Sequence, residues 1–319
     1  MSKVLLVDFG STQTKLTAVD LDNISLIGRT QSATTVATDI NEGYEKALKA
    51  LYNQYGYMKF DKVYACSSAA GGLKMAAIGL VEELTVEAAK RACFGAGGKV
   101  DVVLSHFINA HDVQTIIDKK IDIILLSGGT DGGNTTSVIH NAEMLGKAGI
   151  KIPIVYAGNR ACQDEIQAIF NKYDLNGSIT DNIMPKLNAL NIDPARAIIK
   201  DIFMKNIVVA KGINKISPKL DAEIIPTPQA VLYAAELLSK GYLDEKGLGE
   251  IIIIDIGGAT TDVYSVCEGS PKKVNAVLKG LEEPFVKRTV EGDLGMRYSA
   301  NGVLRELSSE QINFYQDLG

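Results

Sequence analysis

An α/β fold is what this sequence predicts, on three observations. Short β-branched runs alternate with helix-spaced stretches from end to end, a regular strand–helix series fills the middle, and a strand–Asp–Gly–hydroxyl pattern occurs twice. Residues 4–7 (VLLV) read as a strand, a turn follows at Gly10, and 16–20 and 25–29 continue as strands, so the opening is a meander. Residues 42–52 have helical spacing, 62–66 are again strand-like, and Thr85 is placed to cap a helix over 86–93. The middle is more regular: strand 100–105, helix 111–119, strand 121–126, helix 134–147, strand 152–156 and helix 160–170. Strands separated by helices imply a parallel sheet with right-handed crossovers. Residues 176–228 carry most of the mid-chain Pro/Asn punctuation around a helix-like run at 193–209 and are the predicted domain crossing. A helix over 229–239 then precedes the return of the opening pattern at 250.

The composition narrows the function classes. With 319 residues and 46% hydrophobic content the chain can bury a full core, and its length fits about two domains. A net charge of −5 without a dense Lys/Arg run supplies no field to attract nucleic acid, so none is expected as partner. The first residues run straight into a strand, without the apolar stretch and cleavage site of a signal peptide. Apolar runs such as 251–254 fall far below the roughly 20 residues that cross a bilayer. A cytoplasmic protein with no membrane partner is the expectation. Cys66, Cys93, Cys162 and Cys267 form no CxxC pair, and only His106, His111 and His140 exist to join them, so the cysteines read as reduced packing residues. His111–Asp112 reads either as a ligand pair or as part of a helix start, and two adjacent side chains cannot close a metal site alone.

The repeated pattern carries the chemistry. VDFGSTQTKLTAV (7–19) and IDIGGATTDVYSV (254–266) both run from apolar strand through Asp, an apolar residue, Gly and hydroxyl residues into a second apolar run. One such turn is weak evidence, because Gly and Thr also serve tight hairpins; two copies sharing the preceding Asp point to a polyphosphate gripped from both sides. Gly10, Gly257 and Gly258 let backbone N–H groups approach phosphate oxygens, Ala259 is small enough to allow the same, and Ser11, Thr12, Thr14 and Thr260 offer hydroxyl donors. Asp8 and Asp255, at the strand ends, suit a hydrated Mg²⁺, and one of them can orient an attacking water. Lys15 is either the cation of the first loop or a solvated lysine. Asp262 either holds the second loop or caps a turn.

Two further small-residue loops are candidates. SGGTDGG (127–133) follows a strand and precedes a helix, so Gly128, Gly129, Thr130 and Asp131 read either as an anion site or as a turn that needs Gly for positive φ. SSAAGG (67–72) reads either as close packing or as a place where a γ-phosphate approaches the backbone.

The motifs at 8–12 and 255–262 resemble those of the sugar kinase, heat-shock protein 70 and actin superfamily. The resemblance implies ribonuclease H-like domains of actin/heat-shock protein 70 type, with ATP or ADP and Mg²⁺ in the cleft between them. It is extended by an inserted or enlarged parallel βαβ subdomain, and divided as 1–98 (first phosphate loop), 99–228 (subdomain) and 229–319 (second phosphate loop, shortened). The segments YACSSAAGGLKMAAIGL, LLSGGTDGGN, IPIVYAGN and RTVEGDLGMRYSANG resemble the accessory protein of adenosylcobalamin-dependent glutamate mutase, a family sometimes called MutL and unrelated to mismatch repair. That likeness implies a weak ATPase acting as a reactivating chaperone for a mutase by cobalamin exchange; the doubly wound strand–helix alternation of the subdomain further suggests that it recognises mutase or cobalamin, with 100–156 as the segment whose deletion tests this. The alternatives are a small-metabolite kinase and an actin-type polymer.

Overall fold

The computed structural model describes residues 2–35, 39–68, 73–210, 215–258, 260–269, 281, 283–291, 294–297 and 300–308, the side chains of 206–210, 302, 303 and 306 excepted. They form two compact units, one of Met1–Gly71, Val208–Cys267 and Phe285–Gly319, the other of Gly72–Ile207 and Glu268–Pro284.

The first unit opens as the expected meander: β1 (Lys3–Phe9), β2 (Gln13–Asp20) and β3 (Ser25–Ala33) pair antiparallel. Helix α1 (Ile40–Tyr55) starts at Asp39, whose carboxylate accepts the Asn41 N–H, and it buries Ile40, Tyr44, Ala47 and Leu51 along one stripe. That stripe lies against the meander: the Phe9 and Tyr44 rings are 6.3 Å apart, and the Thr30 and Ser32 hydroxyls donate to the carbonyls of Ala47 and Gly43. β4 (Lys62–Ser67) then returns parallel to β1 on its other edge.

The second unit is a five-stranded, all-parallel sheet in the order β6-β5-β7-β8-β9. Its elements are β5 (Leu73–Gly79), α2 (Glu87–Gly95), β6 (Gly98–Ser105), α3 (Ala110–Asp118), β7 (Ile123–Leu126), α4 (Thr136–Lys147), β8 (Ile154–Tyr156), α5 (Gln163–Lys172) and β9 (Gly177–Ile179), followed by α6 (Asp193–Ala210) at the crossing between the units. Ile78, Ile124, Leu126, Val138, Leu145, Ile154 and Ile166 form its core. Thr85 does not cap α2; its hydroxyl takes the N–H groups of Leu80 and Val81 and closes the preceding turn. Asp112 and Asn109 form a reciprocal capping box at the start of α3, with the His111 N–H donating to the Asn109 side chain, so His111–Asp112 belongs to a helix start.

The borders of the units fall at 71/72, 207/208, 267/268 and 284/285, where only 98/99 and 228/229 were expected. The first border moves because β5, within the expected first domain, is the strand between β6 and β7 in the second unit's sheet. Residues 100–156 hold β7, β8 and most of β6, three of five strands of one sheet, so they are not a separable recognition piece.

Returning to the first unit, β10 (Ile225–Pro226) extends β4, and α7 (Thr227–Lys240) leads through a small hairpin, β11 (Gly241–Tyr242) and β12 (Glu245–Lys246), into an antiparallel sheet of β13 (Ile251–Ile256), β14 (Thr261–Val266) and β15 (Val286–Glu291); α8 (Ala300–Glu306) follows. Leu232 and Ala235 of α7 pack on Tyr264 and Val266, with Ile251, Ile253 and Val286 around them. All four cysteines are free thiols. Among the described residues no helix is long and apolar enough to cross a membrane.

Candidate phosphate-binding loops

The sequence repeat is also a repeat in hydrogen bonding. In β1–β2, Phe9 pairs with Thr14 across a four-residue turn; in β13–β14, Ile256 pairs with Thr261 across a turn of the same length. The Gly10 N–H donates to the Gln13 carbonyl at 3.0 Å, and the Gly257 N–H donates to the Thr260 carbonyl at 2.8 Å. Close approach favours glycine at both: a Cβ on Gly10 would lie 2.7 Å from the Gln13 oxygen, nearer than side chains tolerate, and one on Gly257 would lie 3.0 Å from the Thr260 oxygen, a tight contact. Gly10 therefore matches Gly257, Asp8 matches Asp255, and Lys15 matches Asp262.

The two loops meet. A Cβ on Gly258 would stand 2.7 Å from Cγ2 of Thr12, so the tips are in direct contact. Their carbonyls are tied back: the Thr34 N–H donates to Thr12, and the N–H groups of Met296 and Arg297 donate to Gly257 and Gly258. Among the described residues the N–H groups of Ser11, Thr12 and Gly258, and the hydroxyls of Ser11 and Thr12, have no partner. Unpaired amides at the tips of two touching loops can donate hydrogen bonds to an anion. Thr14 does not join them: it is fully buried on β2, and its hydroxyl pairs with that of Thr34 at 3.1 Å. Ala259 lies outside the described residues.

The matched aspartates differ in surroundings. Asp8 accepts from the Thr227 hydroxyl at 3.0 Å and the Cys66 thiol at 3.5 Å, and Lys15 Nζ stands 3.6 Å away. Burial, reinforced by the Asp8 charge, pushes the Cys66 thiol up to about 12, so it stays protonated and acts as a donor. Its thiolate fraction at pH 8 is then about 10⁻⁴, and alkylation by iodoacetamide followed by mass spectrometry is expected to run at least a hundredfold slower than for a solvated thiol. Asp255 is exposed as a residue, and its carboxylate has no hydrogen bond or ion pair among the described residues. Its carboxyl is held above the ordinary range by lost hydration at the loop, then by the charges of Asp262 and Asp8, against the opposing pull of Lys15 and Arg288. Lys15, exposed itself, thus sits within electrostatic reach of both carboxylates. Asp262 is buried and braces the second loop: Arg288 donates to it through Nε at 2.8 Å and Nη2 at 2.6 Å, and the Thr260 hydroxyl at 3.3 Å.

Sequence reading missed Thr227 and Arg288 and took Cys66 only for packing. Thr227 precedes Pro228, a helix-start signal, but nothing in the sequence places it at Asp8.

The 127–133 loop belongs to the second unit. Gly128, Gly129 and Gly132 have φ of 142°, 70° and 75°, as the turn reading requires. The Asp131 carboxylate accepts from the Arg160 N–H and the Asn182 amide, both at 2.9 Å, and the Thr130 carbonyl accepts from the Gly133 N–H. Asn159, fully buried, bonds Gly132, Gly133, Asn134 and Ala161. The carboxylate is spent on bracing the turn. Of the 67–72 loop, Ser68 donates its N–H to Phe9, and 69–72 lie outside the described residues.

Comparison with known proteins gives the lineage. The solved structures to which the chain is similar include nucleotide-free acetone carboxylase (13% identity, TM-score 0.39, 91% of this chain and 48% of that one). They also include the activator of 2-hydroxyisocaproyl-CoA dehydratase from Clostridium difficile with bound ADPNP (11%, 0.19, 65% and 98%) and the Aquifex aeolicus Ppx/GppA phosphatase (10%, 0.23, 100% and 61%). None superposes closely enough to lend this chain its ligand. Sequence comparison is decisive: the "Protein MutL" of Clostridium tetanomorphum is 51% identical over 317 residues, covering 99% of this chain and 69% of that protein. A family model described as MutL protein matches residues 4–317, and the chain belongs to that family, the glutamate mutase accessory family and not the mismatch-repair one.

Proposed function

We propose that the chain binds ATP and Mg²⁺ at the paired loops of its first unit and hydrolyses the nucleotide slowly. Through the nucleotide state it reactivates an adenosylcobalamin-dependent mutase, glutamate mutase or an aminomutase, by exchange of damaged cobalamin for fresh, in the cytoplasm. The observation that carries the nucleotide reading is the contact of Gly258 with Thr12 between two loops whose amides are unpaired. Family membership supports the mutase as partner.

The N–H groups of Ser11, Thr12 and Gly258 and the two free hydroxyls would hold phosphate oxygens, with Gly10 and Gly257 shaping the turns and Lys15 adding positive charge. Asp8 and Asp255 would hold the hydrated cation, which when bound neutralises charge on the phosphate oxygens. Asp255, the carboxylate without a partner, orients the water that attacks the γ-phosphorus, giving ADP and inorganic phosphate. Asp262 and Thr260 keep the second loop in shape. In this reading the second unit is the enlarged subdomain of an actin/heat-shock protein 70 type fold, and its Gly128–Asp131 turn is structural.

Calorimetry with Mg-ATP tests the site. Asp8→Ala and Asp255→Ala are each expected to weaken binding about tenfold or more, a loss of about 1.4 kcal/mol, with unchanged circular dichroism. Wild-type affinity in both variants overturns the assignment. ATP-dependent recovery of an inactivated glutamate mutase on adding this protein and fresh coenzyme tests the partner; phosphoryl transfer to a metabolite without that recovery favours the small-metabolite kinase.

A further inference from the structure

In the second unit, β5 comes first in the chain and lies between β6 and β7, so the connections that follow it diverge to opposite sides of the sheet. Ligands of open parallel sheets sit at that divergence, beyond the carboxyl ends of the strands. The turns leaving β5 and β7 adjoin there: a Cβ on Gly128 would lie 3.4 Å from Cβ of Leu80.

The turn after β7, structural with respect to the nucleotide of the first unit, has its acceptors occupied and donors left over. The carbonyls of Gly128, Gly129 and Thr130 accept from the Asn159 N–H, the Asn182 amide and the Gly133 N–H. Those of Gly133 and Asn134 accept from the Asn159 amide. The N–H groups of Asp131, Gly132 and Gly133 donate to Pro185, Asn159 and Thr130. By contrast, the N–H groups of Gly128, Gly129 and Thr130 and the Thr130 hydroxyl have no partner among the described residues. Gly128 and Gly129 are buried, and buried N–H groups without an acceptor are rare because they lose water and gain nothing. They cannot turn away, since Asn159 and Asn182, 0% and 3% exposed, hold the turn in this shape.

A cation is rooted at the same turn. The Arg160 N–H donates to Asp131 Oδ1 at 2.9 Å, and the Arg160 side chain, on an exposed residue, has no hydrogen bond or ion pair among the described residues. Its charge offsets that of Asp131, whose Oδ1 already takes two donors. The aligned amides then leave a net positive potential.

We propose that the amides of Gly128, Gly129 and Thr130, with Arg160, form an anion site of the second unit that takes the phosphate group of a small ligand. Three amides, a hydroxyl and a guanidinium offer more donors than the two oxygens of a carboxylate can share well, and suit the three of a phosphate. The inference is independent of nucleotide binding at the first unit.

Titration of the whole chain with inorganic phosphate and with ribose phosphate, followed by NMR of the backbone amides, reads this site separately from Ser11, Thr12 and Gly258. Saturable shifts are expected at Gly128, Gly129 and Thr130. Arg160→Ala is expected to weaken that binding about tenfold with unchanged circular dichroism, and Arg160→Lys to recover part of it. Equal affinity for the two probes assigns free phosphate as the ligand, and tighter binding of ribose phosphate assigns a phosphate ester. Absence of saturable shifts at these amides with both probes overturns the proposal and leaves water as their partner. Unchanged affinity in Arg160→Ala overturns it as well.

Discussion

Asp262→Ala is expected to destabilise the first unit by about 3–5 kcal/mol, because it breaks a buried ion pair in which two nitrogens of the Arg288 guanidinium reach the removed carboxylate. The pair is 10% and 5% exposed at its side chains, and two nitrogens of Arg288 reach one oxygen of Asp262. Desolvation of both groups is already borne by the fold, so removing one partner forfeits the attraction and keeps the cost. Adding Arg288→Met to Asp262→Ala is expected to recover part of the loss, since an apolar side chain needs no partner there. Urea unfolding followed by circular dichroism measures both, and a wild-type midpoint for Asp262→Ala would reject the brace. The Lys15–Asp8 contact is a different case: with Lys15 57% exposed it contributes about 0–1 kcal/mol, so Lys15→Met should act on ligand binding and hardly on stability.

Gly258→Val should separate binding from folding. Its Cβ would stand 2.7 Å from the Thr12 methyl, and that side chain can rotate away, so a stability loss near 1 kcal/mol is the expectation. The branched side chain then fills the space between the loops, and Mg-ATP affinity is expected to fall about a hundredfold, or about 2.7 kcal/mol. Gly10→Val provides the contrast, because its Cβ would meet the Gln13 carbonyl that closes the loop's own hydrogen bond. That oxygen cannot turn aside without opening the turn, so stability should fall together with binding. Calorimetry and thermal melting on the two variants decide the matter; near-native affinity in Gly258→Val removes the loops as the phosphate site.

The meander, α1, the parallel series and the two loops were legible because each follows a local rule: period-2 or period-3.6 burial, and glycine where a Cβ has no room. β5 was not. LKMAAIG has a single β-branched residue, and its alanines read as weak strand formers; they fit because Met75–Ile78 are fully buried between β6 and β7, where small side chains pack. The unit border at 71/72 was missed for the same reason, since it depends on which sheet β5 joins. Thr14 was misread because a hydroxyl at a loop end looks like any other donor until the strand register turns it inward to Thr34.

By itself the sequence determined the α/β class, the pair of Asp–x–Gly turns and the residues that must be glycine, since backbone sterics and side-chain periodicity act over a few neighbouring positions. Only the tertiary structure decided that Gly258 touches Thr12, that Asp8 is held by Thr227 and Cys66 while Asp255 stands alone, and that Asp262 is committed to Arg288. Such partners lie up to 246 residues apart in the chain (258 − 12), and charge and hydrogen bonding depend on distance in space.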